Sequence, residues 1–161
     1  MGLGLRLVRV DDRLIHGQVA AIWLKTVGAS RIIIVDDRTA RDDFLREVIE
    51  LSAPAGVAVE IHDTVAGATR MREAAAADEP AFVLMRSPTT ALQLREAGVA
   101  FDVLNVGGIG AGPDRKPLYR NISASQDELE AMRRLEQMGT RVELRIVADD
   151  KAVPFASVDR G

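Results

Sequence analysis

The chain has 161 residues, 47% of them hydrophobic and 28% charged, and carries a formal net charge of −3. That length predicts a single domain over residues 1–161 that buries roughly two-thirds of its unfolded surface. With no cysteine, disulfides and thiolate metal sites are excluded, and the sequence offers neither a basic face for nucleic acid nor an apolar run near the roughly 20 residues of a membrane span.

The predicted elements alternate between strand and helix. "LRLVRV" (Leu5–Val10) is β-rich and ends at Asp11-Asp12, which makes it the first strand. "HGQVAAIWLKTVG" spaces Val19, Ile22 and Trp23 as one helical face and stops at Gly28, a natural C-cap. "RIIIVDD" (Arg31–Asp37) is continuously apolar up to its acids, as expected of a parallel strand covered on both faces. Phe44, Leu45, Val48 and Ile49 form the stripe of a second helix that ends before Pro54. "VAVEIHD" (Val57–Asp63) is the third strand, and a third helix runs from Thr64 to the alanines Ala74–Ala77.

"AFVLMRS" gives a fourth strand ending at Ser87. Ser87 as N-cap, Pro88 at the first helical position and Gly98 beyond the end bracket a fourth helix. The fifth strand, Phe101–Gly108, runs into the Gly/Pro-rich "IGAGPDRKPLYRN", which has room for a short hairpin. Ser125 and Glu128 make a capping box for a helix bearing Leu129, Met132, Leu135 and Met138 and closed by Gly139. "RVELRIV" (Arg141–Val147) is a sixth strand, and Phe155 and Val158 dock the tail. This rhythm predicts a doubly wound α/β domain: a mostly parallel sheet of about six or seven strands, helices on both faces and right-handed crossovers.

Ligands of such sheets bind outside the carboxyl ends of the strands. The residues expected there are Asp11, Asp12, Arg13 and His16 after the first strand, Asp36 and Asp37 after the second, and His62 and Asp63 after the third. Arg86 and Ser87 follow the fourth strand, and Asn105, Gly107 and Gly108 end the fifth. An imidazole, with an unperturbed pKa near ~6.5, serves as nucleophile or general base at neutral pH. Beside His16 the coming helix offers unpaired amides for an anion, Gly17 allows close backbone approach, and Arg13 brings a planar guanidinium suited to phosphate oxygens. The bland alternative is a surface histidine next to a helix cap.

Three jobs are open to Asp11 and Asp12: ligating Mg²⁺, orienting the His16 ring, or turning the chain and pairing with arginines. Asp36 and Asp37 read first as loop acids, His62 as structural, Ser87 and Thr89 as capping residues, and Trp23 as core. "NVGGIGAG" is not G-x-G-x-x-G, so no dinucleotide site is expected.

"VRVDDRLIHGQVAAIWLK" resembles the phosphorylation-site signature of enzyme IIB proteins in the mannose/fructose/sorbose family of the bacterial sugar phosphotransferase system. "RIIIVDD", "SAPAGVAVEIHD", "SPTTALQLREAGV" and "LNVGGI" extend the resemblance in order, over Leu5 to Val147. Ile109 departs from the methionine that often follows the glycine pair in the family, and "AGPDRKPLYRN" is distinctive. The resemblance implies that His16 accepts a phosphoryl group, on Nδ1, from a phosphohistidine of IIA. It then passes the group to a sugar held by the membrane IIC/IID components. Arg13 would neutralise phosphate charge and Asp12 would orient the ring, with Gly17, Ser87, Asn105, Gly107 and Gly108 lining the site. No metal, cofactor or nucleic acid is implied, and IIA is expected as a separate polypeptide.

Exposed Leu14 and Ile15 are candidates for a partner surface, with burial under the first helix as the competing expectation. "MGLGLRL" lacks a signal-peptide h-region and a myristoylation Ser/Thr, so the expected location is cytoplasmic, peripheral to the permease. Two other classes compete. A response-regulator receiver would use Asp63 as acceptor and needs a lysine after the fifth strand, yet the lysines are Lys25, Lys116 and Lys151. A non-catalytic regulatory domain would have no use for the intact Arg13 and His16.

Overall fold

The structure, a computed structural model, describes residues 4–160; Met1–Leu3, which open the stretch read above for export signals, lie outside the described residues, as does Gly161. In chain order the elements are β1 (Leu5–Asp11), α1 (Val19–Val27), β2 (Arg31–Val35), α2 (Asp37–Arg41) and α3 (Asp43–Leu51). They continue with β3 (Ala58–His62), α4 (Thr64–Ala76), β4 (Ala81–Met85), α5 (Pro88–Glu96) and β5 (Val103–Gly108). The last are β6 (Lys116–Tyr119), β7 (Ile122–Ala124), α6 (Gln126–Gln137), β8 (Arg141–Leu144), β9 (Val153–Pro154) and α7 (Phe155–Val158).

Seven strands form one sheet in the order β3-β2-β4-β1-β5-β8-β9, parallel except for β9, which runs antiparallel to β8. The hairpin expected in the Gly/Pro-rich connection is β6–β7, an antiparallel pair outside this sheet. Successive residues of the central strands feed opposite cores, the geometric consequence of the strand's period of two. Val8, Val10, Ile33, Val35, Val83 and Met85 pack with residues of α4, α5 and α6. Ile32, Ile34, Phe82 and Leu84 pack with residues of α1 and α3. "RIIIV" therefore needs no polar alternation, because both its faces are covered.

Local chemistry sets the boundaries. Ser87 caps α5 with Pro88 inside its first turn, and Ser125 and Glu128 make the reciprocal capping box of α6. Gly28 takes the left-handed conformation that ends α1. The single helix expected around Phe44 is instead two, because Asp36 and Asp42 each fold back to accept an amide, from Thr39 and from Leu45. Each aspartate starts a new helix, and the first of them also stops β2 at Val35. The sixth predicted strand stops at Leu144, since the next carbonyls turn inward to receive a buried arginine described below. The tail docks as expected: Phe155 is fully buried and Val158 packs on the same core.

Next to β1 lies β5, and the chain leaves these neighbours in opposite directions, towards α1 on one face and towards α6 on the other. A crevice outside the strand ends follows from that divergence.

At the far edge of the sheet Glu60 on β3 accepts from Arg70 Nε (2.7 Å) and Nη2 (3.0 Å), Arg31 (2.8 Å) and the His62 ring (2.9 Å). The Arg70 hydrogen bonds pull its carboxyl down to about 2, outweighing partial burial, with His62 and the Arg70 and Arg31 charges adding to the effect. A depressed carboxyl stabilises the fold above its ordinary value of 4.5, and that contribution disappears as pH falls through about 2. Glu60→Gln is therefore expected to lower stability at neutral pH and to flatten its acid dependence between pH 4.5 and about 2, as read from urea denaturation midpoints across pH.

Candidate functional site

The segment from Asp12 to Gln18 is a strained loop fastened by apolar plugs. The Leu14 amide donates to the Asp11 carbonyl (2.9 Å), closing a tight turn. Leu14 itself has φ +56°, a conformation that costs a branched residue on the order of 1–3 kcal/mol unless its surroundings enforce it. Burial enforces it: Leu14 and Ile15 are both in the core beneath α1, so neither is the exposed partner surface considered from the sequence. Fixing the residues on its N-terminal side leaves His16 at the rim, its side chain 25% exposed. Helix α1 begins at Val19 rather than at His16, because Gly17 (φ +51°) turns the chain once more. Gln18 supplies no side-chain cap, so the first-turn amides remain oriented and available to an anion.

Asp11 is the centre of the site. It is 1% exposed, yet one of its oxygens accepts from the Arg13 amide and Nε (both 3.1 Å) and the other from Arg13 Nη2 (3.2 Å). The second oxygen also lies 3.3 Å from His16 Nε2 and 3.6 Å from Arg9 Nη2. Burial pushes this carboxyl up, but the Arg13 hydrogen bonds and the charges of Arg13 and Arg9 more than reverse that, leaving it below the ordinary carboxylate value. An ionised carboxylate can only accept, so the ring contact is made by Nε2–H, and Nδ1 makes no hydrogen bond among the described residues. The carboxylate against the ring is thus Asp11, not Asp12.

Asp12 is engaged elsewhere. Its side chain accepts from the Gly110 amide (2.7 Å) and lies 3.9 Å from Arg115, while its carbonyl accepts from Arg86 (2.6 Å). It ties the loop to the connection after β5 instead of orienting the imidazole.

The residue that sequence reading left as ordinary strand is Arg9. It shares a face of β1 with Asp11, is 1% exposed, and donates to the Asn105 side chain and to the carbonyls of Arg145 (2.8 Å) and Ile146 (2.7 Å). Its guanidinium lies 4.9 Å from the centroid of the Trp23 ring, which Arg145 also approaches (5.1 Å), both within cation–π range. Burial pulls Arg9 down to about 10, with Asp11 opposing, so it stays charged at neutral pH. To reach β8 from β1 the side chain must cross β5, and it does so over Gly107, where any Cβ would overlap the guanidinium. The pairing of β1 with β5 shifts register at this point.

The other expected site residues divide accordingly. Asn105 and Gly107 serve Arg9, while Gly108 lies under the Asp11–Arg13 pair, a Cβ there falling 3.1 Å from Asp11 and 3.3 Å from Arg13. Ser87 caps α5 and donates to Glu128 (3.1 Å), which also receives both ends of Arg115 (3.0 Å each). Ser87, Arg115 and Glu128 line a polar cleft of about 290 Å³ between the start of α5, the connection after β5 and the start of α6. Asp36 caps α2 and receives Arg86 (3.2 Å), and Asp37 accepts from Thr64 (2.7 Å). His62 sits on β3, three strands from β1, in the Glu60 cluster. Asp63, the receiver-type acceptor considered above, caps α4, and Lys116 lies on the β6 hairpin. Among the described residues no cluster of His, Asp and Glu could hold a metal ion, and no helix is long and apolar enough to cross a membrane.

An open parallel sheet whose rim presents an imidazole and a half-exposed guanidinium on one shared buried carboxylate has the architecture of a group-transfer domain of the α/β class. The family described as "PTS system sorbose subfamily IIB component" matches residues 5–158. The sorbose-specific EIIB component of Klebsiella pneumoniae is 34% identical over 92% of this chain and 91% of its own. The fructose-specific EIIB component of Bacillus subtilis is 30% identical over 98% and 97%. The mannose-specific EIIAB component of Escherichia coli K12 is 34% identical over 89% of this chain but 45% of its own length. The crystal structure of the IIBSor domain of the sorbose permease from Klebsiella pneumoniae superposes with a TM-score of 0.89 at 33% identity, over 95% of this chain and 94% of that one. The chain belongs to the sorbose subfamily of IIB components of the sugar phosphotransferase system. Its activity is phosphoryl transfer in sugar uptake.

Gly107→Ala is expected to displace Arg9 and to cost about 1–3 kcal/mol in urea denaturation, as overpacking of a pinned interior does. Gly108→Ala, whose added methyl meets its neighbours at 3.1 Å or more, should cost clearly less.

Proposed function

We propose that His16 is the residue that carries the phosphoryl group, on Nδ1. The observation that carries this reading is the Nε2 contact with Asp11, which leaves the other ring nitrogen with a lone pair at the open rim. The lone pair of Nδ1 attacks the phosphorus of a phosphohistidine on a IIA protein, in line with the bond that breaks. The electron pair of that bond returns to the donor imidazole. The His16 ring keeps its Nε2 proton throughout, so positive charge develops on it as the new bond forms, and Asp11 neutralises that charge at 3.3 Å. In the second step a sugar hydroxyl held by membrane IIC/IID components attacks the phosphorus and gives up its proton to solvent, the P–N bond breaks, and His16 leaves as neutral imidazole that still carries its Nε2 proton.

The transition state of such a transfer is loose, so alignment and charge neutralisation are the protein's contributions. Arg13 suits the second task, since its side chain is 51% exposed and can turn from Asp11 to phosphate oxygens. The first-turn amides of α1 and the small Gly17 and Gly108 complete the cradle. Ser87, Asn105 and Gly107 act around it rather than on the phosphate. Neither a metal nor a nucleotide takes part, because partner proteins present both donor and acceptor. The chain acts as one domain, in the cytoplasm and against the membrane permease.

Incubation with phosphorylated IIA tests this directly. Wild type should acquire an acid-labile, base-stable label with the ³¹P shift of an Nδ1-phosphohistidine, and His16→Ala should acquire none. Arg13→Ala should be labelled more slowly by on the order of a hundredfold to a thousandfold, the usual loss when one donor to a developing anion is removed. Full labelling of His16→Ala, or a label stable to acid, would overturn the assignment.

A further inference from the structure

We propose that Arg9 is a positioning residue for this transfer: it holds the Asp11 carboxylate ionised and in place when Arg13 turns away to the phosphoryl group. The inference rests on the reading of His16 given above, and its argument is the contrast between two arginines on one carboxylate. Arg13 grips both oxygens of Asp11 but is half in solvent. Arg9 lies 3.6 Å from Asp11, too far for a good hydrogen bond yet close enough for a strong charge interaction in a buried setting. It therefore does not compete with the imidazole for the Asp11 oxygen at 3.3 Å.

Nothing lets Arg9 move. Its donors are committed to Asn105 and to the carbonyls of Arg145 and Ile146, and its flat face is set on Trp23. A phosphoryl group at His16 Nδ1 would compete with Asp11 for Arg13, and only the exposed partner can answer. If Arg9 were neutral, Asp11 would then be a buried carboxylate without a guanidinium, a state that favours protonation. A protonated Asp11 donates its O–H to Nε2, and the ring proton must then sit on Nδ1. That tautomer has no lone pair for phosphorus. The fixed charge of Arg9 keeps the ring in the form that reacts.

The test reads the tautomer itself, in unphosphorylated protein, from two-bond ¹H–¹⁵N correlations of the labelled His16 ring. Wild type should show Nε2–H, and Arg13→Ala combined with Arg9→Met, which takes both guanidiniums from Asp11, should show a mixture carrying Nδ1–H. Arg9→Met alone supplies the kinetic reading. Transfer from phosphorylated IIA should fall in kcat by on the order of tenfold to a hundredfold, with KM little changed because Arg9 touches no partner. Arg13→Ala should slow transfer while leaving the Nε2–H tautomer in place.

Should Arg9→Met fail to fold, Asn105→Asp decides instead. Placed beside Arg13→Ala, it sets a second carboxylate on Arg9 and draws its charge from Asp11, and it should move the tautomer the same way. A wild-type tautomer in folded Arg13→Ala/Arg9→Met, a wild-type kcat in folded Arg9→Met, or an unmoved tautomer in Arg13→Ala/Asn105→Asp would overturn the proposal. The tautomer is read without any phosphoryl donor, so failure here is distinct from failure of His16 to become labelled.

Discussion

Burying a carboxylate is costly enough that a protein either protonates it or surrounds it with charge and donors. At Asp11 the second course is taken, and much of the surrounding architecture is what that course demands. Two guanidiniums and an imidazole converge on two oxygens. The first guanidinium must itself be buried, so it needs the Asn105 amide, two carbonyls beyond β8 and an aromatic face. Those needs explain why β5 carries a glycine where it is crossed and why β8 ends where it does. The central strand, its neighbour two places away and the first helix are joined through one charged side chain rather than through apolar packing alone.

The loop that bears the histidine is held by the opposite kind of force. Leu14 and Ile15 fill the core beneath α1, and their burial, on the order of 1.5–3 kcal/mol for each side chain, covers the backbone cost of the left-handed Leu14. Asp12 then staples the loop to the Gly110 amide, and Arg86 holds its carbonyl from the neighbouring strand end. With its root fixed on three sides, the rim has few parts free to move. Arg13 is the clearest of them.

Most of the fold could be read from period and punctuation. Ser87-Pro88, the Ser125–Glu128 box and Gly28 mark helix ends by chemistry that acts within a few residues, and they fall where the sequence indicates. The division into α2 and α3 is invisible in the apolar stripe because it turns on Asp36, which reads as a loop acid, and on Asp42, which the stripe from Phe44 does not reach, although each is an acceptable cap. At the site, the histidine and Arg13 stand out by residue type, but the choice between Asp11 and Asp12 depends on the pleat. Successive residues of β1 face opposite sides, and only the one on the α1 side can meet a ring carried by the α1 loop. The same parity held a usable signal for Arg9: a charged residue on a covered face of a central strand, two positions from an aspartate, calls for a partner. The partner strand could not be named, because strand order is a long-range property that local pattern does not contain.

Geometry of this kind also bears on how a single α/β sheet edge suits the task. A phosphoryl group in transit needs a nucleophile of fixed tautomer, a counter-charge that can follow the phosphate, and an approach open from one side. On the roles proposed for His16 and Arg13, fixed tautomer comes from a carboxylate that the interior will not release, and following charge from an arginine that the interior does not hold. The two requirements oppose each other within a single ion pair, since a cation tight enough to keep Asp11 ionised would be too tight to let go. Placing one guanidinium below the carboxylate and another above it separates them, and the sheet's C-terminal rim is where a buried strand position and an open loop position lie only a few residues apart.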